Sequence, residues 1–268
     1  MKQRLTITLS DGVLKQVDAL IDRVHVRNRS HAIEHLLTKS LSPKIDTAIF
    51  LCGGSTHQQT APLTDIAGKP SIVWMLEQLR DKGIVRVFIS LGNSGEKIQK
   101  LLGNGEKFGL HIRYHEENKP LGTGGALKVW EKQLIDAPFL TLHGDILSTI
   151  NLSDMSEFHQ KESALLTVAV KPRLSKKEYG QVFLQGNHVV TFQKSGQEGG
   201  ISITNSGIYV VEPSILESIP PKKNVQLEDE LMPRLAKQNL LRAYFYQGLW
   251  FDLTDPLQLA DARKRWLQ

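Results

Sequence analysis

Cysteine is nearly missing from this chain: of 268 residues only Cys52 is one. A lone thiol excludes an internal disulfide and a zinc site built on cysteines, and it makes a reducing, cytoplasmic setting the expectation. Long apolar runs are also missing. No stretch approaches the roughly 18 residues of a membrane span, and the opening MKQRLTITLSDG lacks the apolar core of a secretory leader. A third absence is local. In IFLCGGSTHQQTAPLT, residues 49–64, a strand feeds a glycine turn of the kind that cradles phosphate, yet no Lys or Arg stands between Gly54 and Thr64. Internal repeats and low-complexity tracts are absent as well.

What is present is ordinary globular composition, 40% hydrophobic and 23% charged, enough for one large domain and a small one. The charge is unevenly spread. Residues 1–44 hold eight Lys and Arg against four Asp and Glu, so +4 of the net +5 lies there. Such asymmetry predicts a small basic module that meets a polyanion, joined to a nearly neutral body.

In that head RLTITL alternates strictly, with Arg4, Thr6 and Thr8 on one side of a strand and Leu5, Ile7 and Leu9 on the other. Ser10 is placed to cap a helix bearing Val13, Leu14, Val17, Leu20, Ile21 and Val24. Asn28 is placed to cap a second with Ala32, Ile33, Leu36 and Leu37, and Ser42-Pro43 starts a linker. About 40 residues cannot bury these faces alone, which predicts a dimer or higher homo-oligomer. The stretches MKQRLTITLSDGVLKQVDAL and NRSHAIEHLL resemble the ribbon-helix-helix family of DNA-binding repressors. The resemblance implies a β-α-α domain over 1–43 whose paired strands enter the major groove. Arg4, Thr6 and Thr8 would then face base edges, and Asn28 with the amides after it would hold a phosphate.

From Ile45 strands alternate with helices. IDTAIFL, IVRVFISLG, HIRYHEE, FLTLHGDIL and ALLTVAV read as strands, and SIVWMLEQLRDKG (Ser71 as cap), EKIQKLLG, GGALKVWEKQL and LSDMSEFHQ as helices. Later come a hairpin in YGQVFLQGNHVVTFQ, the strand SITNSGIYVV, a helix near LEDELMPRLAKQ and one after Pro256. The pattern predicts a doubly wound, mostly parallel α/β domain over 44–268, with ligands at the carboxyl ends of its strands.

The ordered set CGG, PLT, GKP, LGTGGAL, HGD, YGQV, NSGIYV and WFDLTDP resembles the sugar-nucleotide pyrophosphorylases, or sugar-1-phosphate nucleotidyltransferases, across residues 45–268. Members join a nucleoside triphosphate to a sugar 1-phosphate and release pyrophosphate. The resemblance implies Mg2+ on Asp145 and Asp252, a nucleotide against Gly53, Gly54, Leu121, Gly122 and Thr123, and a sugar phosphate against Tyr179, Gly180, Gln193, Lys194 and Asn205. Gln193 stands where the family usually has Glu. Members also carry an Arg in G-G-x-G-T-R-L-x-P-L-T and a Lys in a following P-K-P. Here STHQQTA holds no permanent cation, the P-K-P segment is missing, and Lys69 matches the later G-K-P. His57 is the one ionisable residue in that loop, and imidazole is a poorer phosphate clamp than guanidinium.

Two functions follow as expectations. In the first the chain is a DNA-binding transcriptional regulator whose body has lost catalysis and senses a nucleotide or nucleotide sugar. In the alternative the body is an active sugar-1-phosphate nucleotidyltransferase, and the head serves oligomerisation or autoregulation.

Overall fold

A computed structural model describes residues 6–24, 26–41, 45–92, 95–134, 137–174, 180–193 and 199–267. Arg4, Tyr179 and Lys194 lie outside the described residues. The chain divides into two compact units, Met1–Pro43 and Lys44–Gln268. Among the described residues no helix is long and apolar enough to cross a membrane.

The first unit holds α1 (Asp11–Ala19) and α2 (Arg29–Leu41). Ser10 occupies the N-cap of α1 without a side-chain cap bond. Asn28 Oδ1 does cap α2, accepting the His31 N–H at 2.9 Å, and the Arg29 guanidinium pairs with Asp18 at 2.6 Å. Val17 and Ala32 are the buried apolar residues described in this unit. Of the stretch expected as a strand, Thr6 to Leu9 have no regular secondary structure in the single chain. Alternation fits a chain to a pleat, but a strand forms only against a partner's ladder.

The second unit contains α3 (Thr56–Thr60), α4 (Ser71–Asp81), α5 (Gly95–Leu102), α6 (Gly122–Lys128), α7 (Leu152–Glu162), α8 (Met232–Lys237) and α9 (Pro256–Arg265). Its strands are β1 (Thr47–Cys52), β2 (Asp65–Ile66), β3 (Lys69–Pro70), β4 (Arg86–Leu91), β5 (His111–Glu116), β6 (Phe139–His143), β7 (Ile146–Ser148), β8 (Leu166–Leu174), β9 (Gln181–Gln185), β10 (His188–Gln193), β11 (Ile201–Val211), β12 (Leu241–Phe245) and β13 (Trp250–Asp252). Nine of them form one sheet in the order β5-β4-β1-β6-β11-β8-β12-β10-β9.

Helices and sheet make three layers. Period-two alternation along β1 sends Ala48, Phe50 and Cys52 into one apolar core and Ile49 into another. A strand buried on both faces needs an unbroken apolar run, which TAIFLC supplies. The expectation of a mostly parallel sheet holds for the half β5-β4-β1-β6. It is corrected beyond β6, where β11 runs antiparallel to both β6 and β8, and β10 antiparallel to β9 and β12. The β9–β10 hairpin reverses the chain in a tight turn, so those strands pair without a crossover.

Two local expectations also change. Ser71 is the first residue of α4 and not its cap; its hydroxyl donates to the Ala61 carbonyl at 2.9 Å. The segment LEDEL winds as a π-helix over Leu227–Leu231 before α8 begins.

Candidate functional site

Strand β1 ends at Cys52, and the chain turns through Gly53 and Gly54 at the carboxyl edge of the parallel half. Ser55 then caps α3 in a reciprocal box. Gln58 N–H donates to Ser55 Oγ at 3.4 Å, and Ser55 N–H donates to Gln58 Oε1 at 2.9 Å. Next along the sheet β6 delivers His143, and the turn after it delivers Asp145. Strand β7 leaves that turn and pairs antiparallel with β13, which sets Asp252 opposite Ile146; the Leu253 N–H donates to the Asp145 carbonyl at 2.9 Å. Two carboxylates more than a hundred residues apart in sequence thus meet through one short ladder.

These elements wall a cleft with two lobes. The larger, about 510 Å³, is lined by Gln58, Thr123, His143, Asp145, Gly180, Asn205, Glu228, Trp250 and Asp252 among others. The smaller, about 210 Å³, is lined by Gly53, Gly54, Gln58, Glu117, Gly122, Thr123, His143 and Asp145 among others. Gln58, Thr123, His143, Asp145 and Gln226 border both.

Two glycines are required by this architecture. Gly122 has φ +72°, and a β-carbon there would lie 2.4 Å from the Val225 carbonyl oxygen. That close approach lets Gly124 N–H donate to the same carbonyl at 2.9 Å, while Val225 N–H donates to the Leu121 carbonyl at 2.8 Å. The start of α6 is so strapped to the segment leading into the π-helix. Gly207, at φ +69° with the His143 ring against it, makes the irregular pairing of β11 with β8 between Asn205 and Tyr209 possible. The irregularity brings both side chains together, and Asn205 Nδ2 donates to the Tyr209 hydroxyl at 2.8 Å.

Charge in the cleft is mainly negative. Burial pushes the Asp145 carboxyl above its ordinary range, and Asp252 beside it adds to the rise, against a lowering by His143. Glu228 moves the other way, to about 2: burial opposes ionisation, but His143 and the Thr123 hydroxyl more than compensate. His143 in turn lies above the ordinary histidine value, because burial of its ring is outweighed by Glu228, Asp145 and Asp252. His143 Nε2 and Glu228 Oε1 stand 3.4 Å apart as an ion pair that misses hydrogen-bond alignment. Glu117 is raised by burial, and it accepts the Leu121 N–H at 3.0 Å.

Asp145 and Asp252 fit a divalent cation on this ground. Asp252 raises the cost of ionising Asp145, which invites a positive charge beside it, and all-oxygen donors suit Mg2+. Among the described residues no cluster of three or more His, Cys, Asp or Glu makes a complete metal cage. Mg2+ commonly accepts so few protein ligands, filling its shell with water and phosphate oxygens.

Of the residues expected from the sequence, Gly53, Gly54, Gly122, Thr123, Asp145, Gly180, Asn205 and Asp252 all line the cleft. Leu121 acts beside it through its backbone, bonded to Glu117 and Val225. Gln193 does not line either lobe; it is exposed on β10 in register with Gln181. Sequence reasoning missed Glu117, Gln58, His143, Tyr209 and Glu228. For two of them the signals were within motifs already singled out: His143 opens HGD and Tyr209 ends the Asn-to-Tyr span of NSGIYV, whereas nothing in LEDEL marks Glu228.

A family profile described as Nucleotidyl transferase matches residues 49–268. A mannose-1-phosphate guanyltransferase of Gibberella zeae is 30% identical over 201 residues, 73% of this chain and 55% of the relative. A D-glycero-alpha-D-manno-heptose 1-phosphate guanylyltransferase of Aneurinibacillus thermoaerophilus is 29% identical over 226 residues, 81% of this chain and 96% of the relative. The chain therefore spans little more than half of the first and nearly all of the second. The crystal structure of HddC from Yersinia pseudotuberculosis superposes with a TM-score of 0.72 at 24% identity, covering 83% of this chain and 100% of that one, a likeness of fold.

These relatives overturn the reading of the chain as a DNA-binding transcriptional regulator with a spent body. They are named as sugar-1-phosphate guanylyltransferases, which favours the enzyme alternative. DNA contacts by Arg4, Thr6, Thr8 and Asn28 are withdrawn with that reading. Asn28 has a sufficient role as the cap of α2. The matched profile, which spans all the residues lining the cleft, places the chain in the nucleotidyl transferase family.

Proposed function

We propose that residues 44–268 form an active sugar-1-phosphate nucleotidyltransferase that favours guanine and an aldose 1-phosphate of manno configuration. The observation carrying this reading is the placement of Glu117 in the smaller lobe. Its carboxylate lies 3.6 Å from where a side chain on Gly53 would begin, beside the glycine turns that border the same lobe. Guanine alone among the common bases offers two adjacent N–H donors, N1 and N2, and a carboxylate accepts both at once. A guanylyl preference also agrees with the names of the relatives.

In this reading the base enters the smaller lobe and the sugar the larger, and the phosphates lie where the lobes join, beside Gln58, His143 and Asp145. Asp145 and Asp252 would hold Mg2+, which supplies neutralising charge at the phosphates when bound. Thr123, bonded to the π-helix, fixes the edge shared by both lobes. Holding two anions in line is most of what phosphoryl-type transfer asks of a protein. The loop from Ser55 to Ala61 contributes a capped frame and amides in place of permanent cations.

The test is pyrophosphate release from purified protein with Mg2+, each of GTP, ATP, UTP and dTTP, and a panel of hexose and heptose 1-phosphates. GTP is expected to lead by at least about tenfold, and Glu117→Gln to erode that lead by about ten- to a hundredfold through the lost bidentate acceptor. Release no greater than that of an Asp145→Asn control across the panel would overturn the proposal.

A further inference from the structure

Glu228 has a place in the cleft that substrate contact alone does not explain. It stands in the π-helix, a winding that recurs at functional sites. One carboxylate oxygen accepts from the Tyr209 hydroxyl at 2.9 Å and the other from the Thr123 hydroxyl at 2.6 Å. Thr123 Oγ1 in turn accepts the Leu227 N–H at 2.8 Å. The Tyr209 hydroxyl receives Asn205 Nδ2 at 2.8 Å, and Asn205 Oδ1 receives the Gly207 N–H at 2.9 Å.

The direction of the Tyr209 bonds follows from one end, and the Gly207 N–H fixes the Asn205 oxygen at the other. An ionised carboxylate only accepts. The single proton of Tyr209 must therefore point at Glu228, so its oxygen must receive from Asn205, and the Asn205 amide can be held only with its nitrogen toward Tyr209. Were the tyrosine proton to point the other way it would meet the Nδ2 donor, and because the Gly207 N–H holds Oδ1 the amide could not flip to accept it; Asn205 would be pushed from its place. Asn205 lines the larger lobe, with one N–H and one oxygen lone pair left for a ligand.

We propose that Glu228 is a positioning residue: as an obligate acceptor it keeps the Tyr209 oxygen open to Asn205 Nδ2 and so, together with the Gly207 N–H, holds in place the Asn205 amide that the sugar meets. Through Thr123 it ties that amide to the glycine turn of the smaller lobe. Calling the larger lobe a sugar site rests on the function proposed above; the hydrogen-bond relay itself does not.

The test uses the full chain as wild type, Glu228→Gln, Tyr209→Phe and the double variant. Glu228→Gln keeps shape and adds a donor, so the relay loses its fixed direction; Tyr209→Phe removes the middle link and leaves the Thr123 bond in place. Each single change is expected to raise the KM for the sugar 1-phosphate about tenfold, with the KM for GTP within about twofold and the double variant no worse than either single. Rises in both KM values together, or a double effect near a hundredfold, would overturn the proposal. A second readout needs no turnover. In 1H–15N spectra of the ligand-free protein the Asn205 side-chain amide protons exchange slowly in wild type and about tenfold or more faster in both single variants. Unchanged exchange in both variants overturns the relay even if no substrate is found, whereas absent pyrophosphate release in wild type counts against the function alone.

Discussion

The loop from Gly53 to Leu63 bonds largely within itself, reaching outward through the Ala61 carbonyl to Ser71 and through the Gln58 side chain to Asp145, while the acidic side of the cleft is assembled from distant parts of the chain. In the loop Ser55 and Gln58 cap each other, Gln59 Nε2 donates to the Gly54 carbonyl at 2.7 Å, and the Thr60 hydroxyl donates to the Thr56 carbonyl at 3.1 Å. No partner in these bonds is more than five residues away. Glu228 instead bonds Thr123 across 105 residues and Tyr209 across 19. A locally satisfied loop can diverge in sequence with little consequence elsewhere. A carboxylate held by three elements cannot, because removing one partner leaves buried polar groups unpaired.

The sharpest break of this contrast is at Asp145, where the two regions meet in both lobes. Asp145→Asn keeps the side chain's size and removes the charge that Asp252 and burial already strain. Pyrophosphate release is expected to fall on the order of 10²- to 10³-fold, with loss of the rise in Tm that Mg2+ gives the wild type. A variant that keeps a tenth of the rate and the Mg2+ shift would remove Asp145 from the reaction.

Legibility in the sequence divides along the same line. Features set by neighbours were readable: the apolar run of β1, the β9–β10 hairpin, the helix that begins at Pro256, and the glycine turns. Asp145 and Asp252 were readable through motif context, although nothing in either motif says that the β7–β13 ladder unites them. Glu228 was not readable. LEDEL offers Glu228, Asp229 and Glu230 in a helical pattern; the π winding turns both Glu228 and Asp229 to the larger lobe, and only the Thr123 and Tyr209 bonds set Glu228 apart. The N-terminal stretch differs for the opposite reason. Its alternation is a local signal, but a strand is a nonlocal structure, and pattern without a partner leaves Thr6 to Ser10 irregular.

Glu228 sharpens the contrast through pH. Its folded pKa is depressed, from an ordinary 4.5 to about 2, so its contribution to stability is fully present above pH 4.5 and fades as pH falls toward 2. His143 is raised above an ordinary 6.5, so its share is full below that value and fades as pH rises through the folded pKa. The pair therefore stabilises most between about pH 4.5 and 6.5. In urea titrations the stability difference between wild type and Glu228→Gln is expected to shrink by on the order of 2–3 kcal/mol from pH 4.5 to about 2. A difference flat across that window would show that Glu228 is not ionised against its partners in the folded state.

Ser55→Ala is the smallest break and the one that tests whether the loop is as self-contained as its bonds imply. The substitution removes the oxygen that accepts the Gln58 N–H, one half of the capping box, while leaving the Gln58 Oε1 contact to the Ser55 backbone available. Loss of an N-cap side chain costs about 1 kcal/mol at most sites, and α3 is a short helix whose residues are none of them buried. The loss is expected to appear as faster amide exchange over 56–60, opening by local fraying, with global stability changed by less than about 0.5 kcal/mol. Leu227 N–H, bonded to Thr123 Oγ1 in the long-range network, should exchange as in the wild type. If Ser55→Ala also frees Leu227, the loop and the acidic side open together, and the division between a locally bonded wall and a distantly bonded one fails.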